Sequence, residues 1–114
     1  MSAARPSSGW TASAPVFAAL GDKTRLRLVA RLGAGQPRSI TQLSAGSAIT
    51  RQAITKHLHV LAGAGLVRSR PRGREQLWEL RPRRLEEPRR ILDLISRQWD
   101  DALQRLKSSL ENET

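Results

Sequence analysis

His57 and His59 stand two positions apart in the stretch T-R-Q-A-I-T-K-H-L-H-V-L-A-G-A-G-L-V, Thr50 to Val67, and are the chain's two histidines. Residues two apart on a helix point about 200° away from each other, so these two rings cannot grip one ion from within a single helix. The chain has no cysteine and no further histidine to complete a site with them. Carboxylates such as Asp100 and Asp101 alone make a weak transition-metal site. Metal chemistry is therefore not expected, and the sequence implies no cofactor.

A different chemistry emerges when the helix is phased. Ile54, Leu58 and Leu61 fall on one side, with His57 at its edge. The opposite side carries Gln52, Thr55, Lys56 and His59, with Arg51 near the N-terminal end and Thr50 before it. These are side chains that read base edges in duplex DNA: Arg pairs with guanine, Gln with adenine, and Thr meets a methyl group or an acceptor. Thr50, Arg51, Gln52, Thr55 and His59 are thus expected to address bases or nearby phosphates, and Lys56 a phosphate. His57 reads as a half-buried packing histidine, with one nitrogen in reach of a phosphate.

The charge distribution agrees. Twenty Lys and Arg against ten Asp and Glu give a net charge of +10. From Lys23 to Arg74 there are eleven basic residues and no acidic one, whereas Glu86 to Thr114 holds five basic and seven acidic. Such a chain has a polyanion-binding part and a separately built tail. Enzymatic chemistry finds little support: the acid-free run lacks a carboxylate–histidine pair, and there is no tyrosine and no Gly-rich phosphate loop. Ser44 and Ser47 read as turn residues without an orienting acid. No apolar run approaches the ~20 residues of a membrane span, and no secretory signal is visible, so a cytoplasmic protein is expected.

The elements that must position these residues follow from punctuation and periodicity. Met1 to about Thr11 reads as a disordered arm, with residues 1–12 set apart from the domain. From Pro15 a short helix carries Val16, Phe17 and Leu20. Asp22 is suited to cap a second helix holding Leu26, Val29 and Leu32. Ser39-Ile40-Thr41-Gln42 has the form of a capping box and opens a short third helix. Thr50 caps the fourth, which ends at Gly63 or Gly65. Two short helices joined by a few residues make a helix-turn-helix. Leu66–Arg70 and Glu75–Leu80 flank the turn residues P-R-G-R and read as a β-hairpin, tipped by Arg70, Arg72 and Arg74, which are expected to meet phosphates. The last helix runs from about Glu87 to Leu110 with an apolar seam of Leu92, Ile95, Trp99, Leu103, Leu106 and Leu110.

The predicted fold is mainly α with a small β-hairpin, a winged helix-turn-helix of four helices, two strands and a fifth helix. Residues 13–84 would form the DNA-binding domain and residues 85–114 a dimerisation helix. At these residues the chain resembles the ArsR/SmtB family of bacterial winged-helix repressors. The likeness is carried by F-A-A-L-G-D-K-T-R (Phe17–Arg25), the Thr50–Val67 stretch, R-G-R-E (Arg72–Glu75) and Q-W-D-D-A-L-Q-R-L-K (Gln98–Lys107). The resemblance implies a homodimer joined through the first and last helices, hence through Phe17, Leu92, Ile95, Trp99, Leu103 and Leu106, and operator binding as a repressor. It departs from the metal-sensing members: Ile40 to Ala48 offers no thiolate, and the last helix no histidine. The expected partners are double-stranded DNA, a second copy of the chain and an unidentified small-molecule effector, with no membrane. Two-fold symmetry would set two recognition helices about 34 Å apart and predict a palindromic operator. The competing reading is a winged-helix protein-interaction module whose basic face binds an acidic partner.

Overall fold

A computed structural model describes residues 8–113. The elements run α1 (Ser8–Leu20), α2 (Lys23–Gly33), β1 (Arg38–Ser39), α3 (Ile40–Ser44), α4 (Arg51–Gly63), β2 (Val67–Arg72), β3 (Glu75–Leu80), a 3-10 turn (Pro82–Leu85) and α5 (Glu86–Asn112).

The helix starts are made by the residues whose chemistry suits them. Asp22 Oδ2 accepts from the Arg25 amide at 3.0 Å, and Thr50 Oγ1 from the Ala53 amide at 3.1 Å. At α3 the capping box closes in both directions: Ser39 Oγ accepts from the Gln42 amide at 3.2 Å, and Gln42 Oε1 from the Ser39 amide at 2.9 Å. Each bond satisfies an amide that the first helical turn leaves without an intrahelical partner. Arg31 of α2 serves the other end of α3, its guanidinium donating to the Leu43 and Gln42 carbonyls at 2.7 and 3.2 Å.

Three features differ from the sequence expectations. First, α1 begins at Ser8, so residues 8–12, expected in a disordered arm, are helical; residues 1–7 lie outside the described residues. Pro15 stands inside that helix without an N–H to donate, which is why the sequence points to a later start. Packing outweighs this local penalty: Ser13, Val16 and Ala19 are buried at three-residue spacing, and α1 packs against α5. Second, the hairpin gains a third strand. β1 pairs antiparallel with β3 through Arg38↔Trp78 and Ser39↔Leu77, giving the order β1-β3-β2. Third, α5 is not detached from residue 85 onward, because Pro88 and Ile91 are buried in its first turns.

One core unites the helices and the sheet. Leu28, Leu32, Leu43, Ile54, Leu58, Leu61, Leu66 and Trp78 are all buried in it, Leu58, Leu61 and Leu66 completely. Gly65, at φ +80°, turns the chain out of α4. There Arg84 lies against it and straps two segments, with Nε donating to the Ala64 carbonyl and a terminal nitrogen to the Ala12 carbonyl, both at 2.9 Å.

Candidate nucleic-acid interface

Helix α4 buries Ile54, Leu58 and Leu61 against the core, which fixes what it turns outward. Gln52, Lys56, His59 and Val60 occupy the opposite side and are exposed, with Arg51 exposed at the N-terminal end. No carboxylate lies on this helix. Because Thr50 caps the first turn, the helix dipole places partial positive charge at the end where the polar side chains cluster.

The remaining predicted residues are placed less simply. Thr50 uses its oxygen as the cap acceptor, leaving its hydroxyl hydrogen free to donate outward. Thr55 is half-buried and its hydroxyl donates to the Arg51 carbonyl at 2.8 Å. The two histidines diverge. His59 rests edge-on against Trp78, with ring centroids 5.7 Å apart and planes at 87°. His57 turns toward α2, its Nδ1 lying 3.3 Å from an Arg25 terminal nitrogen and 3.8 Å from Asp22 Oδ2. Among the described residues no three His, Asp or Glu side chains converge as a metal site.

The hairpin turns at Gly73, φ +61°, followed by Arg74 with φ negative. Since Arg72 pairs with Glu75, the loop is two residues long, as in a type II′ turn with glycine first. Pro71 is tolerated because β2 is an edge strand with no further neighbour. Register places Arg68, Arg70 and Arg72 on one face of β2, at successive steps of about 6.8 Å. Arg74 occupies the tip. All four are exposed.

Sequence reasoning missed three members of this surface. Arg68 belongs to the same stripe as Arg70 and Arg72, a fact of alternation that could have been counted. Glu79, opposite Arg68, could not be foreseen as its partner without the register. Its Oε1 accepts from Arg68 Nε at 2.7 Å and its Oε2 lies 3.8 Å from an Arg70 terminal nitrogen. The Arg68 hydrogen bond holds the Glu79 carboxyl below its ordinary value, with the Arg70 and Arg68 charges acting in the same direction. Val60, 46% exposed on the outer side of α4, was also passed over.

An exposed, acid-free, capped helix following a short helix, beside a two-stranded arginine-bearing wing, defines a winged helix-turn-helix regulator of transcription that binds DNA. Comparison with known proteins specifies the group. A family model described as a helix-turn-helix domain matches residues 20–70. The HTH-type transcriptional regulator Rv2034 of Mycobacterium tuberculosis is 39% identical over 85 residues, 75% of this chain and 76% of that protein. An ArsR-like transcriptional regulator from Rhodococcus sp. RHA1 superposes with a TM-score of 0.70 at 36% identity, covering 87% of this chain and 92% of the other. The homodimeric winged helix-turn-helix DNA-binding domain of a possible ArsR-family regulator from Mycobacterium bovis shares the fold at 23% identity, TM-score 0.58, with 80% and 81% covered. The chain belongs to the ArsR-like family of helix-turn-helix transcriptional regulators.

Proposed function

We propose that the protein is a dimeric repressor that binds a palindromic operator and needs no metal to do so. Helix α4 enters the major groove. Arg51, Gln52 and His59 address base edges there, while Thr50 and Thr55 act at its margin and Lys56 meets a phosphate. The wing arginines Arg70, Arg72 and Arg74, joined by Arg68, hold the adjacent backbone, and Val60 offers an apolar surface suited to a thymine methyl. The observation that carries this reading is the outward side of α4: capped, acid-free and exposed, with cations beside it.

The second copy is argued from α5. Trp99, Leu103, Leu106 and Leu110 are 65, 59, 56 and 57% exposed, a continuous apolar row that water would surround in a single chain. A mate docked along Leu92, Ile95, Trp99, Leu103 and Leu106, with Phe17 of α1 at the margin, removes it from water. That makes residues 85–114 the dimerising part and residues 13–84 the reading part, although α5 begins inside the core. The homodimeric state of the Mycobacterium bovis relative supports the same assembly. Metal independence rests on the divergence of His57 and His59 and the absence of cysteine. Any signal that releases the operator is then a small molecule or another change acting on the dimer. None of the described helices is long and apolar enough to cross a membrane, which fits a regulator acting in the cytoplasm.

Retention on random duplex DNA tests the reading against an acidic protein partner. The expected result is binding at low salt whose logarithm falls linearly with the logarithm of salt concentration. Failure to bind any duplex in dilute buffer, together with binding to an acidic polypeptide, would favour the interaction-module reading instead.

A further inference from the structure

We propose that His57 is a phosphate ligand on the flank of α4, its ring and tautomer set by Arg25 of α2, a positioning residue. This deepens the DNA-binding reading above and rests on it.

Arg25 is anchored at both ends. Its Nε donates to the Ala19 carbonyl at 2.7 Å, and a terminal nitrogen points at His57 Nδ1 from 3.3 Å. A guanidinium has five donors and no acceptor, so Nδ1 must present its lone pair. The neutral imidazole hydrogen therefore sits on Nε2. Asp22 Oδ2, 3.8 Å from the same Nδ1, is too distant for a hydrogen bond and already accepts from the Arg25 amide. Nε2 finds no acceptor among the described residues and is not a buried orphan, so its N–H opens to solvent on a side chain 25% exposed.

Groove dimensions say what that N–H meets. A helix with its side chains is about 10–12 Å wide, and the major groove about 12 Å. The outward side of a seated helix thus faces bases, while its flanks press on the phosphate walls. His57 lies about 100° round from Lys56, on the flank nearest α2. A fixed Nε2–H there is a phosphate donor.

Arg25 also guards that tautomer, because a hydrogen on Nδ1 would face the guanidinium as donor against donor. The nearby acceptor is Asp22, whose carboxyl is held below its ordinary value, first by the Arg25 amide and then by the charges of Arg25 and His57. It is therefore ionised at neutral pH and engaged with the start of α2. Of the elements packed on α4, α1 and α3 carry no ionisable side chain. The other charged residues on these elements are all basic: Lys23, Arg27 and Arg31 on α2, Arg51 and Lys56 on α4, and Arg68, Arg70 and Arg72 on β2, which joins α4 at its far end through Ala64–Leu66.

The test uses the full chain and a random-sequence duplex as probe. Nitrogen-15 spectra of the imidazoles, recorded without DNA above pH 7.5, should show His57 as the Nε2–H tautomer, and Arg25→Met should lose that preference. His57→Gln, whose amide reproduces a donor near Nε2, should bind DNA within about twofold of wild type at pH 8. His57→Asn, whose donor falls short, should bind about five- to tenfold more weakly with the salt slope unchanged, because the neutral ring releases no counterion. An Nδ1–H tautomer, or equal affinities for all three proteins, would overturn the proposal. Wild-type protein that shows the Nε2–H tautomer yet ignores every duplex would overturn the phosphate role through failure of the DNA-binding reading itself.

Discussion

Gln52 and Arg72 are both exposed polar side chains, yet they are expected to behave differently. Gln52 projects from the first turn of α4, where a recognition helix meets base edges. Replacing it with Ala should cost about 1–3 kcal/mol on the preferred operator and relax selection at one base position. Arg72→Ala should weaken binding to all duplexes alike and lower the salt slope by about one. Titrations of both variants on operator and scrambled duplex, at several salt concentrations, separate the two roles; identical ratios would contradict the assignment. Thr50 is a residue of a third kind, since its oxygen holds the helix start. Thr50→Ala should lower stability by about 1 kcal/mol in denaturant unfolding while Thr50→Ser retains most of it. Contacts of this kind were legible because cap and amide lie three residues apart. The bond between Arg25 and His57 spans 32 positions, and no local pattern announces it.

At the scale of elements, the wing is more restrained than its arginine count suggests. Glu79 sits opposite Arg68 and within 3.8 Å of Arg70, so part of the stripe is already paired before DNA arrives. Glu79→Gln should tighten binding to random duplex and steepen its salt dependence. The sign of any pH effect follows from the lowered carboxyl: its pairing is present above the ordinary carboxylate range and is lost only as pH falls through the still lower folded value. The gain from Glu79→Gln should therefore be constant between pH 6 and 8; a gain that disappears there would show that Glu79 acts otherwise. The hairpin itself was readable from alternation and turn residues. Its third strand was not, because β1 is two residues long and exists only by pairing with β3. The first turns of α1 are hidden from the sequence for a related reason: Pro15 speaks against them locally, and only burial against the rest of the molecule speaks for them.

The whole molecule is elongated, with a radius of gyration of 19.3 Å and a longest dimension of 69 Å. A compact chain of this length would have a radius near 13 Å. Much of the excess is α5, whose 27 residues extend about 40 Å and whose later turns carry the exposed apolar row. That row was legible from the steps of three and four along the sequence; its burial in a second copy is the part only assembly can supply. Leu103→Glu should convert the protein to a folded monomer in sedimentation and reduce operator affinity far more than affinity for random DNA. An unchanged dimer would remove α5 from the interface. The central claim is that two copies present two α4 helices to successive major grooves, and selection of bound fragments from a pool of random duplexes tests it most directly. The account predicts an enriched inverted repeat with half-site centres about 10–10.5 base pairs apart, or a whole-turn multiple of that. Enrichment of a single unrepeated site, or no enrichment despite binding, would contradict it.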